Sequence, residues 1–235
     1  MALPKLDTVT YELELPSTGE AVTFRPFLVK EQKTLLIAQE AEDDKVIEKS
    51  FAQIISDCTY GKVDPYAYPL FDIEYLFLQM RAKSVGEAAT ITVTAEDDGE
   101  TQVPVDIDLS KVNINMTVGH TNEIQITDDI KMVMDYPTLK DMAMPTSVDT
   151  DIERIFTMIK RCIVEIHDGE SIHNRIDMSD KELDEFLDTM STDMFDKMNE
   201  FFETMPKLQH VVKFTNPKTK VKNEVNIEGL QSFFA

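Results

Sequence analysis

The spacing of apolar residues changes several times along this chain, and each change marks an element. Val9, Tyr11, Leu13 and Leu15 alternate with polar residues, Pro16 to Gly19 is turn-forming, and Val22 and Phe24 resume the alternation. This predicts an N-terminal β-hairpin. Pro26 holds Arg25 extended, so the hairpin cannot run straight into a helix. From Val29 the spacing is helical: Leu35, Leu36 and Ile37 first, then Ile47, Phe51, Ile54, Ile55 and Cys58, with Asp43 or Asp44 capping the second helix. After a loop at Tyr60 to Pro65, the residues Leu70, Ile73, Phe77 and Met80 recur at three- and four-residue steps, and Leu76 widens their stripe. Pro69 suits the start of this central helix, Gly86 ends the helical region, and Arg81 to Gly86 is expected to be a short joint to the next element. The period then drops to two, with Ala89, Ile91, Val93 and Ala95 on one face and Thr90, Thr92 and Thr94 on the other.

Asp97 to Glu100 reads as a hairpin turn, and Thr101 to Ile107 as a returning strand that Pro104 confines to an edge. Further strands are expected at Val112 to Met116, Glu123 to Ile126 and Ile130 to Val133, making 87–135 a small antiparallel β unit. Past Pro137 the pattern is helical again. A short helix is expected over Thr138 to Ala143, followed by a strongly periodic one carrying Ile152, Ile155, Phe156, Ile159 and Ile163, capped near Asp149 or Thr150. Ser179 to Glu182 has capping-box spacing and opens a helix with Leu183, Phe186, Leu187 and Met190 on its face. Ser191 or Thr192 caps the next, which Pro206 stops. A terminal hairpin follows, from Leu208 to Phe214 and again at Val225 and Ile227. The fold class is therefore α+β: an N-terminal β-hairpin and helices, a central antiparallel β unit, and a helical C-terminal part ending in a β-hairpin. Two lobes are expected, 1–136 and 137–235.

Composition narrows the function. In 235 residues, 44 Asp and Glu stand against 23 Lys and Arg, a formal charge of -21. Such a surface repels a phosphate backbone, which disfavours nucleic-acid binding and favours basic protein partners. No apolar run is long enough for a membrane span, and Met1 to Lys5 begins no signal peptide. Cys58 and Cys162 each lie in an apolar helical pattern, as buried thiols in a reducing cytosol would. Gly86 and Gly119 are isolated, so no phosphate-cradling loop is expected.

Three stretches carry a resemblance: Val22 to Lys30 (VTFRPFLVK), Phe77 to Glu87 (FLQMRAKSVGE), and Phe202 to Phe234 (FETMPKLQHVVKF and IEGLQSFF). Together, in this order and at this length, they resemble the baseplate hub subunit family of T-even-type contractile-tailed bacteriophages. The resemblance implies a non-enzymatic protein made late in infection, without a cofactor. It acts either as a tail baseplate hub subunit or as a hub assembly factor, in the host cytoplasm during assembly and in the virion tail baseplate. Its partners would be other hub or tail proteins. Many members of that family carry a Cys-Pro-x-Cys knuckle, half of a zinc site, in the terminal hairpin. Here Asn216-Pro217-Lys218-Thr219 stands in its place, and without thiolates no zinc is expected at this turn.

Two candidate sites emerge. The stripe of Met194, Met198, Phe201, Phe202 and Met205 has a core-packing reading and a partner-binding one, since Met-rich surfaces adapt to changing partners. Phe233 and Phe234 join the partner-binding set. The other site is the turn Ile166 to His173, where His167, Asp168 and His173 have the residue types for a metal-assisted hydrolase and also those of an ordinary polar turn. A thiol nucleophile at Cys58 or Cys162, with His120 or His210 as base, is the weaker enzymatic alternative. No catalytic, cofactor-binding or metal-binding residue is assigned.

Overall fold

The computed structural model describes residues 7–41, 43–142 and 151–233. The N-terminal hairpin pairs β1 (Tyr11–Glu14) with β2 (Ala21–Phe24), Leu13 opposite Val22. Two helices follow: α1 (Val29–Ala41) and α2 (Asp44–Cys58), the latter capped by the Asp43 carboxylate, which accepts the Lys45 N–H. The central helix α3 (Leu70–Val85) buries Leu76, Phe77, Leu78 and Met80 completely, so it is enclosed on most sides, as a core helix is. Phe77 packs against Phe51 and Phe27, with ring centroids 4.3 and 5.1 Å apart. Asp72, also fully buried, accepts the Ser17 N–H at 3.1 Å and the Ser17 hydroxyl, fastening the first hairpin's turn to α3. Gly86, at φ 120°, ends the helix.

Next come β3 (Ala88–Thr94) and β4 (Gln102–Asp108), a separate two-stranded sheet in which Pro104 faces Thr92. Alternation of bonded pairs turns the missing Pro104 N–H to the open edge, as the sequence requires. β5 is Asn113–Asn115.

The following strands form a four-stranded antiparallel sheet ordered β6 (Glu123–Gln125), β7 (Ile130–Met134), β8 (Ile163–Asp168), β9 (Ser171–Asn174). Between β7 and β8 lie α4 (Leu139–Met142) and α5 (Asp151–Cys162). After β9 come α6 (Asp180–Asp188), opened by the Ser179–Glu182 capping box, and α7 (Thr192–Thr204). The sheet and these helices enclose one core, which includes Met132, Ile159, Cys162, Ile166, Leu183, Met198 and Phe201.

The chain ends with β10 (Lys207–Thr215) and β11 (Lys222–Glu228), then a 3₁₀ turn at Leu230–Phe233. β10 also pairs with β5, Gln209 opposite Asn113, giving the order β11-β10-β5. The Leu230 N–H donates to Glu74 of α3 at 3.1 Å. Two compact units result: Met1–Asn115 with Lys207–Ala235, and Met116–Pro206. Strand pairing thus places the terminal hairpin in the first unit, apart from the helices that precede it in sequence.

Three expectations need correction. The strands of 87–135 form no single β unit: β3 and β4 pair with each other, β5 joins the terminal hairpin, and β6 and β7 join β8 and β9. Ile163 is a strand residue, because the chain passes from α5 into β8 without a loop. Its neighbours Val164 and Ile166 are β-branched and fit a pleated surface. The central helix runs through Val85, leaving only Gly86 and Glu87 as the joint to β3. The expected caps Asp149 and Thr150, and Ala143, lie outside the described residues.

Candidate functional site

α7 shows how the methionine–phenylalanine stripe is used. The Ser191 hydroxyl caps it by accepting the Met194 N–H, which fixes the helical phase. That phase turns Met198 and Phe201 fully into the core of the second unit, while Met194, Phe195 and Phe202 pack half-buried against it. Phe201 stacks on Tyr136 at 5.6 Å and meets Phe202 edge-on at 5.1 Å. Met198 and Phe201 therefore serve packing. Met194, Phe202 and Met205 keep part of their surface in solvent. The Phe233 side chain and Phe234 lie outside the described residues.

The His167–Asp168–His173 cluster comes apart in a specific way. Gly169, at φ 59°, and Glu170 form the two-residue loop of the β8–β9 hairpin, which puts Asp168 opposite Ser171, His167 opposite Ile172 and Ile166 opposite His173. Directly paired residues share a face and successive residues alternate. His173 and Asp168 thus lie on the face of Ile166, and His167 lies on the other, where its Nε2 meets Glu165 at 2.7 Å. Among the described residues no three His, Cys, Asp or Glu side chains converge as metal ligands. On the core-side face, Asp168 and His173 instead line a pocket of about 260 Å³ with Glu182 and apolar residues of α6 and the sheet.

The thiols are no better placed for chemistry. Cys58 and Cys162 are buried, and burial pushes each thiol up to about 12, so neither supplies a thiolate at neutral pH. The His120 ring nitrogens are engaged by Thr204 Oγ1 at 2.9 Å and Tyr136 Oη at 3.0 Å, and burial lowers its pKa. This half-buried triad joins the loop before β6 to the end of α7. Its members are too far apart in sequence, 84 residues at the widest, for any motif to announce them.

The terminal hairpin's turn is held by hydrogen bonds. Asn216, fully buried, donates from Nδ2 to Asp97 and Asp98 of the β3–β4 turn, at 3.0 Å each, and its Oδ1 accepts the Lys218 N–H at 2.8 Å. Asn223 reaches the same Asp97 carboxylate at 2.7 Å, and the Thr219 hydroxyl donates to it as well. These donors, Thr219 first, hold Asp97 below the usual carboxylate range. The two hairpin tips are thus joined by a polar network in which each amide is satisfied.

A family model described as T4 bacteriophage base plate protein matches residues 8–235. No curated protein and no solved structure matches the chain. The match spans nearly the whole sequence, and the chain belongs to that family.

Proposed function

We propose that this member of the T4 bacteriophage base plate protein family is a non-enzymatic subunit of the tail baseplate hub, or a factor that assembles the hub. The family match over residues 8–235 carries the reading as far as a structural baseplate protein. The step to the hub rests on the likeness of Val22 to Lys30, Phe77 to Glu87 and Phe202 to Phe234 to hub subunits. The non-enzymatic part is supported by the division of His167 from His173 across two faces of a hairpin and by the depth of both thiols.

The protein works by contact. A formal charge of -21 steers it towards basic surfaces of other hub or tail proteins. The exposed parts of Met194, Phe202 and Met205 add apolar surface, and the C-terminal Phe233 and Phe234 complete the proposed partner-binding set. Assembly proceeds in the host cytoplasm. Quantitative mass spectrometry of purified virions, beside a lysate of infected cells, tests the proposal. A fixed ratio to other tail proteins in virions makes the chain a hub subunit. Its presence only in lysate, on baseplate intermediates, makes it an assembly factor. Absence from both virions and baseplate intermediates rejects the proposal.

A further inference from the structure

The second unit contains 21 of the chain's 44 acidic residues and 8 of its 23 basic ones, a formal balance of -13. One strand edge of this unit departs from that character. β9 reads Ser-Ile-His-Asn, without a carboxylate, and all four residues are exposed. It is the end strand of its sheet. Because Asp168 and Ser171 flank a two-residue loop they form a bonded pair, and so do Ile166 and His173 two residues on. The Ile172 N–H and C=O and the Asn174 N–H then point away from the sheet. Among the described residues nothing bonds to them.

Two other end strands are blunted. β6, at the far side of the same sheet, lies against α7, whose Lys197 ammonium donates to the Gln125 and Ile126 carbonyls at 3.0 Å each. β11 alternates Lys222, Glu224, Asn226 and Glu228 along its solvent face, a pattern that discourages strand addition. β9 has neither device. It adds exposed apolar surface instead, with Ile172 58% and the following Ile176 92% accessible.

Beside this edge lies the 260 Å³ pocket between the β8–β9 hairpin and α6. Its walls are Ile130, Ile166, Leu183 and Phe186, and two carboxylates, Asp168 and Glu182, reach it. Glu182 Oε2 is taken by the Ser179 cap, whereas the Asp168 carboxylate has no ion-pair partner among the described residues. A residue paired with His173 on an added strand would share the face of His173 and Ile166, one strand spacing beyond the His173 wall of this pocket and within reach of a long side chain. A long aliphatic stem ending in a cation fits an apolar wall with a carboxylate beside it.

We propose that β9 is a docking edge that accepts an extended segment of a partner protein as a fifth strand, with an arginine or lysine of that segment entering the pocket beside Asp168. Backbone bonds to Ile172 and Asn174 provide affinity, and the pocket selects the basic side chain. This deepens the hub reading, on which it rests only for where the partner comes from.

The test uses the full chain, isotope-labelled for NMR, and the capped peptide Thr-Val-Thr-Arg-Thr-Val-Thr as probe. Saturable shifts centred on the Ile172 and Asn174 amides are expected. Replacing the peptide's arginine by glutamate should weaken binding at least about tenfold, as should Asp168→Asn, which keeps a residue suited to the turn. Asn174→Pro should abolish binding: Asn174 has φ -84°, close to what proline imposes, and the N–H it loses points outward. An unchanged thermal midpoint for both variants confirms the fold. No saturable shift at ~5 mM peptide, shifts scattered over the surface, or undiminished binding by Asn174→Pro would each overturn the proposal. In phage, normal tails from Asn174→Pro would reject the docking edge while leaving the hub reading intact. Loss of the hub reading in the virion measurement would leave peptide binding as found.

Discussion

His167 and His173 stand on opposite faces of one hairpin, because His167 pairs with Ile172 and His173 with Ile166. Partners across a two-residue turn are an odd number of positions apart, whereas His167 and His173 are separated by an even number, and no side-chain rotation brings the rings to one ion. His167 is left with Glu165, its neighbour two residues back on the same strand and face.

His167→Ala should therefore cost little. The pair it breaks is partly solvated, with side chains 25% and 34% exposed, and lies within one strand, so stability should change by no more than about 1 kcal/mol. Phage carrying the substitution should plaque like the parent. A large loss of infectivity with the fold intact would give His167 a chemical role.

Asn216→Ala should be far more disruptive. It removes both donors to Asp97 and Asp98 and the acceptor for the Lys218 N–H, inside a fully buried site. A loss of about 1–3 kcal/mol is expected in denaturant unfolding. Stability equal to the parent would show that the two tips are held together by something else.

Phe201 gives a sharper contrast. If its role is packing against Tyr136 and Met198, Phe201→Ala should destabilise the protein by about 3–5 kcal/mol. A partner-surface residue would instead lose binding with its melting temperature unchanged.

The Arg25–Glu31 pair predicts an acid-sensitive step. Burial works to raise the Glu31 pKa, but bonds from Arg25 at 2.8 Å, the Leu28 N–H at 2.8 Å and Lys30 outweigh it and hold the carboxylate at about 2. The folded value lies below the ordinary 4.5, so the unfolded chain binds the proton more readily in this window. The stabilisation is complete above pH 4.5 and is lost as pH falls towards 2. Glu31→Gln should be less stable at pH 7 and should show a shallower decline between those limits. Parallel curves for the two proteins would contradict this.

Much of this fold is legible in the sequence because it is local. Ser179 and Glu182 announce α6 by spacing alone, and the structure shows both halves of the capping box. Alternation at Ile91 and Val93 marks β3, and Pro104 marks an edge. What the sequence conceals is partnership at a distance. Nothing local tells Asn113 that it will pair with Gln209, or Asp97 that Asn216 will bind it. The stripe on α7 was legible as apolar, but its destination depended on a sheet whose strands β7 and β8 are separated by two helices. The His-Asp-His turn was legible as polar, and its failure to converge became visible only with the hairpin register.

The central claim is that this chain is required to build the baseplate hub. The most direct measurement is electron microscopy of tails made by a phage with an amber codon early in this gene, grown on a non-suppressing host. The account predicts no complete baseplates and no infectious progeny, with both restored on a suppressing host. Normal baseplates and a normal burst without the protein would contradict it.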